Sequence, residues 1–137
     1  MSQIQTLEQK RASEAWSCVQ YVNEEIDNHK FKKEYRSIVL KLPSLILTNG
    51  FGQTLAFLKS KGKGDESNAE EKVYRDVQEW LKKSEVINWD SATQNELIER
   101  IMAINSDKYR HVTTEALAFL NWLKRFADAV LPKDGGE

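Results

Sequence analysis

Two histidines, one cysteine and 21 carboxylates are the raw material from which this 137-residue sequence would build a catalytic or metal site. His29 and His111 stand far apart and fit no ligand spacing of the H-E-x-x-H kind, so no metal site is predicted. Cys18 has no second thiol with which to form an intrachain disulfide or a thiolate cluster. Its position beside the apolar stripe of a helix predicts a buried structural thiol rather than a nucleophile. The acidic pairs Glu24-Glu25, Asp65-Glu66 and Glu70-Glu71 are sequence neighbours in polar stretches and read as solvated charge, not as an acid and base converging on a pocket. Asn49-Gly50-Phe51-Gly52-Gln53-Thr54 sets a glycine turn at a helix start, which would point amides at an anion. It lacks a preceding strand, the full G-x-G-x-x-G spacing and a Walker lysine, and Lys61-Gly62-Lys63-Gly64 is no better. No catalytic residue, metal or cofactor is predicted.

The basic residues carry more information. Residues 1–64 hold 10 Lys and Arg against 6 Asp and Glu, whereas residues 65–137 hold 10 against 15, and the formal net charge of -1 conceals this asymmetry. Lys10-Arg11, the run Lys30, Lys32, Lys33, Arg36 and Lys41, and the group Lys59, Lys61 and Lys63 all lie in the positive half. Such a distribution suits a phosphate backbone contacted without base readout, or the docking of copies and neighbouring subunits head to tail. Composition alone favours ordinary solvated lysines over either.

Helices must position these groups. Ile4, Ala12, Ala15, Val19, Val22 and Ile26, widened by Leu7 and Trp16, predict a long first helix ending near Asn28 and His29. A second starts within Lys30–Arg36 and carries Tyr35, Ile38, Val39, Leu42, Leu45 and Ile46, with a kink or break expected at Pro43. Asn49-Gly50 closes it, Phe51 packs back across the turn, and Phe51–Lys61 forms a short third helix. Gly62–Asn68 has no apolar residue and reads as a mobile connection. Ala69–Lys83 is the fourth helix, acidic in its first turn and basic in its last.

Val86–Trp89 reads as a packed loop. Asp90 or Ser91 caps a fifth helix bearing Leu97, Ile98, Ile101, Met102 and Ile104, and Ser106 caps a sixth. The closing helix carries Val112, Ala116, Phe119, Leu120, Leu123, Phe126, Ala127 and Val130, and Pro132 with Gly135-Gly136 ends it. At ~1.5 Å per residue the first and last helices should each exceed ~30 Å. The fold class expected is all-α: a single domain over residues 1–137, a compact bundle of about six helices with no repeat. No stretch approaches the ~18 apolar residues of a membrane span, and Met1–Gln5 lacks a signal pattern, so a cytoplasmic protein is expected.

The stretch Tyr35–Lys61 resembles the signature of the small subunit of type III-B (Cmr-type) CRISPR RNA-guided effector complexes. In order it presents a tyrosine-led helix, Leu42-Pro43, Asn49-Gly50, then Gln53 followed by Leu55-Ala56-Phe57, and a lysine-rich helix end. Thr113–Ala127 resembles that family's closing helix, and Gln9-Lys10-Arg11-Ala12 its opening one. Phe51 stands where leucine is the commoner residue. The resemblance implies a non-catalytic helical bundle for antiviral defence that lines the backbone filament and helps hold guide and target RNA. Its implied partners are the backbone and large subunits, the guide and target RNA, and copies of itself. It makes Lys10, Arg11, Lys59 and Lys61 the first candidates for RNA-phosphate contact, with Lys33, Arg36 and Lys41 behind them. Pro43, Asn49 and Gly50 would shape the structural corner. A protein-only helical adaptor without RNA contact is the alternative.

Overall fold

The computed structural model describes residues 5–87 and 96–133. Its elements are α1 (Leu7–Glu25), α2 (His29–Asn49), α3 (Phe51–Gly62), α4 (Ala69–Lys83), α5 (Leu97–Ala103) and α6 (Ser106–Val130), with no strand among the described residues. α6 packs against α1 and α2, α4 against α3 and α2, and α5 rests on α3. The core between these layers holds Tyr35, Leu42, Phe51, Leu55, Leu58, Tyr74, Leu81, Phe119, Leu120 and Leu123, all essentially removed from water. Each contributes on the order of 1.5–3 kcal/mol by that burial.

Local chemistry explains most boundaries. Thr6 and Gln9 form a reciprocal capping box, which starts α1 at Leu7. At 19 residues α1 is slightly shorter than expected, and the 21-residue α2 exceeds it. Asn28 opens α2 rather than ending α1, accepting from the Phe31 amide at 3.0 Å. Asn105, one residue before the expected Ser106, caps α6 by accepting from the Lys108 amide. Leu7 and Trp16 are 46% and 42% exposed, so they edge the stripe of α1 rather than fill the core.

Of the kink or break expected at Pro43, the break does not occur: α2 runs through it to Asn49. Leu42 and Ile46 are buried on either side of it, and this packing outweighs the missing amide donor. The chain turns from α2 into α3 at Asn49-Gly50. Gly50, at φ 91°, ends α2 by donating to the Ile46 carbonyl at 2.8 Å and opens α3 by accepting from the Thr54 amide and hydroxyl. Phe51 is buried beside it.

The 63–68 connection is laced by local hydrogen bonds: Asp65 accepts from the Ser67 amide and hydroxyl, and Asn68 caps α4 through the Glu70 and Glu71 amides. Asn88, Trp89, Asp90, Ser91, Gly135 and Gly136 lie outside the described residues. α5 has no side-chain cap of its own, and its first amides donate to Gln78 Oε1 and Tyr74 Oη of α4. Among the described residues no helix is long and apolar enough to cross a membrane.

Candidate nucleic-acid interface

Three of the seven candidate cations are committed to carboxylates. Arg11 on α1 donates through Nε and Nη2 to Glu115 on α6 at 2.7 and 2.8 Å, and Trp80 Nε1 of α4 donates to the same carboxylate at 2.9 Å. Burial alone would push the Glu115 carboxyl up, but the bonds from Arg11 and Trp80 outweigh it and hold it below its ordinary 4.5. Arg36 pairs with Asp128 of α6. Lys59 reaches buried Glu71 at 3.4 Å and Glu96 at 3.5 Å, with its ammonium 4.7 Å from the Tyr74 ring centroid. These three cations tie helices together, and any phosphate must share them with a carboxylate already in place.

Lys10 and Lys61 are exposed and form no ion pair among the described residues, but they stand on different helices, α1 and α3. Lys33 and Lys41 behave differently. With Lys30 and Ser37 they follow one face of α2 at three-, four- and four-residue steps and line a cleft of about 430 Å³, also bounded by Glu34, Ile38 and Glu70. None of the three ammonium groups has an ion-pair partner among the described residues. A helix supplies about 1.5 Å per residue, so Lys30 to Lys41 spans roughly 16 Å of surface, a length over which a nucleic-acid strand presents several phosphates.

A second basic face went unread in the sequence because it falls in the negative half. Asn121, Lys124, Arg125 and Asp128 follow at three-, one- and three-residue steps on α6, opposite its apolar stripe, and with Leu40 they line a cleft of about 450 Å³. Their spacing was the available signal. The acidic surplus collects around α4, where a cleft of about 590 Å³ is lined by Glu66, Glu71, Asp76, Glu79 and Glu96 with Lys72 and Arg75 among them.

Cys18 is free and buried. Burial pushes its thiol up, and Asp76 and Glu14 push it the same way, so it stays protonated. His29 and His111 are exposed on α2 and α6. Among the described residues no group of three or more His, Cys, Asp or Glu side chains is placed to hold a metal ion.

The family described as CRISPR-associated protein (Cas_Cmr5) matches residues 7–130. The chain is 35% identical over 104 residues to the CRISPR system Cmr subunit Cmr5 of Thermus thermophilus, covering 72% of this chain and 75% of that one. It is also similar to the crystal structure of a CRISPR-associated Cmr5 family protein from Thermus thermophilus, with a TM-score of 0.74 at 29% identity, over 93% of this chain and 100% of the other.

Proposed function

The chain belongs to the CRISPR-associated Cmr5 family, and on that premise we propose that it is a non-catalytic structural subunit of a type III-B Cmr ribonucleoprotein. It lines the backbone subunits, meets copies of itself and the large subunit, and stabilises the pairing of guide with target RNA. The observation that carries the RNA contact is the row Lys30, Lys33 and Lys41 on α2, which forms no ion pair among the described residues and outnumbers the two carboxylates, Glu34 and Glu70, that share its cleft. Lys10 on α1 and Lys61 on α3, both exposed and without an ion pair among the described residues, are further phosphate contacts. Arg11, Arg36 and Lys59 reach RNA only from the edges of their ion pairs.

A row of point charges reads phosphates and not bases, which suits a subunit serving any guide sequence. The buried, protonated Cys18 and the two separated histidines support a role without chemistry of its own. The basic row on α2 and the acidic cleft beside α4 suit contact between copies, and residues 1–137 are proposed to act as one cytoplasmic helical unit.

Reconstitution with guide-loaded backbone subunits and a complementary RNA tests this reading. Lys30→Glu with Lys33→Glu and Lys41→Glu should incorporate stoichiometrically yet retain target RNA less well. The slope of log affinity against log salt should flatten by roughly 0.7–0.9 for each phosphate that is no longer neutralised. Wild-type retention by an intact mutant particle would refute it. The second reading, a protein-only adaptor, draws on Leu47 and Met102, 76% and 75% exposed on α2 and α5, which suit an apolar protein contact. Under it, Leu47→Ser and Met102→Ser abolish incorporation and the lysine variants change nothing.

A further inference from the structure

α1 and α6 leave between them a cleft of about 380 Å³ that differs in chemistry from the lysine row. It is lined by Glu8, Arg11, Ala118, Asn121, Trp122 and Arg125. The Trp122 indole is held in place: Phe126 packs on it at 5.6 Å with the rings tilted by 36°, and Trp16 meets Phe126 edge-on at 5.1 Å. The Arg11 guanidinium is equally fixed by its two bonds to Glu115, which also neutralise it. Arg125 is exposed and has no ion-pair partner among the described residues; with Asn121 it also lines the neighbouring α2–α6 cleft beside Lys124.

We propose that this cleft takes one unpaired nucleotide of single-stranded RNA, its base stacked against Trp122 and its phosphate held outside by Arg125 and Lys124. The proposal rests on the RNA-contact reading above but uses a different face. A fixed aromatic surface with a nearby free cation is the combination by which proteins hold single strands, because every base has a π face. The base, not the phosphate, is the part that enters: Glu8 on the cleft wall repels a phosphate and accepts from an exocyclic amine. Asn121 supplies an amide able to pair with a base edge. The volume falls within the roughly 300–1,000 Å³ usual for small-ligand clefts. Paired RNA cannot use the site, because its bases are stacked inside the helix. A subunit of this kind would hold duplex through α2 and an unpaired or displaced nucleotide through the α1–α6 cleft.

Fluorescence anisotropy of the full-length chain with labelled oligoadenylate, labelled oligouridylate and a labelled duplex of equal length tests this. Trp122→Ala should weaken single-strand binding roughly tenfold and Trp122→Phe less, with duplex binding unchanged. Arg125→Ala should weaken it several-fold and flatten its salt dependence, and Asn121→Ala should change the ratio of oligoadenylate to oligouridylate affinity. Asn121 and Arg125 are exposed, so their variants keep the test valid if Trp122→Ala unfolds. Folded Trp122 and Arg125 variants that bind single strands like wild type, while the lysine-row variants do not, would overturn the cleft and leave the RNA reading standing. A wild-type chain that binds neither RNA at any salt concentration would overturn both, and leave the cleft to a protein side chain.

Discussion

Replacing Arg11 with alanine separates the two roles open to this residue, phosphate contact and strut. Its guanidinium makes two of the three hydrogen bonds to Glu115, a carboxylate whose side chain is 8% exposed. Breaking a buried ion pair from one side costs about 3–5 kcal/mol, because the remaining charge stays in a low-dielectric site. Two features reduce that figure. Trp80 still donates to one oxygen, and the Arg11 side chain is 20% exposed, so water can replace part of it. About 2–3 kcal/mol remains, which lowers Tm by roughly 6–9 °C in a chain of this size.

The loss depends on pH. Glu115 titrates below its ordinary 4.5 in the folded protein, so its stabilisation is fully present above that value and disappears as pH falls through the depressed pKa. The gap between wild type and Arg11→Ala should therefore close in acid. Urea melts of wild type, Arg11→Ala, Glu115→Gln and the double variant at neutral and acid pH measure both the loss and the coupling. A coupling below ~0.5 kcal/mol, or a gap that does not change with pH, would refute the strut.

Gly62→Ala places a Cβ 2.8 Å from the Glu71 amide nitrogen, a backbone atom that cannot swing away; a loss of about 1–3 kcal/mol is expected in denaturant melts. Pro43→Ala restores a donor toward the Val39 carbonyl inside α2 and should raise stability by about 1–3 kcal/mol, visible as a higher Tm. Tyr35→Phe removes the 2.6 Å bond to buried Asp76 and leaves that carboxylate with Lys72, costing about 1–2 kcal/mol. Burial raises the Asp76 pKa, with Lys72 and Tyr35 opposing it, so the deficit should grow as pH rises through that pKa and the charged form loses a donor. Lys61→Ala, at an exposed position with no ion pair among the described residues, should leave Tm within about 1 °C while weakening target-RNA retention.

Helix placement was readable because apolar periodicity and caps are local. Val73, Val77, Trp80 and Leu81 face the core of α4 over the very span that periodicity marked, and Asn49-Gly50 makes the turn its backbone freedom allows. The Thr6–Gln9 box was equally present in the chain. At Pro43 the missing amide does not end the helix, because its neighbours Leu42 and Ile46 are held by tertiary burial.

The sequence by itself determined an all-helical chain, its segmentation, a buried thiol and a surplus of positive charge in its first half. Tertiary structure alone decided which of those charges remain available. Arg11 meets Glu115 across 104 residues and Arg36 meets Asp128 across 92, whereas Lys33 and Lys41 form no ion pair among the described residues, although Glu34 and Glu70 line the same cleft. It also set Asn121, Trp122 and Arg125 of α6 against Glu8 and Arg11 of α1. The reason is that helix propensity is written in steps of three and four residues, while Coulomb attraction and ring stacking depend on distance through space, which exists only once the helices have packed.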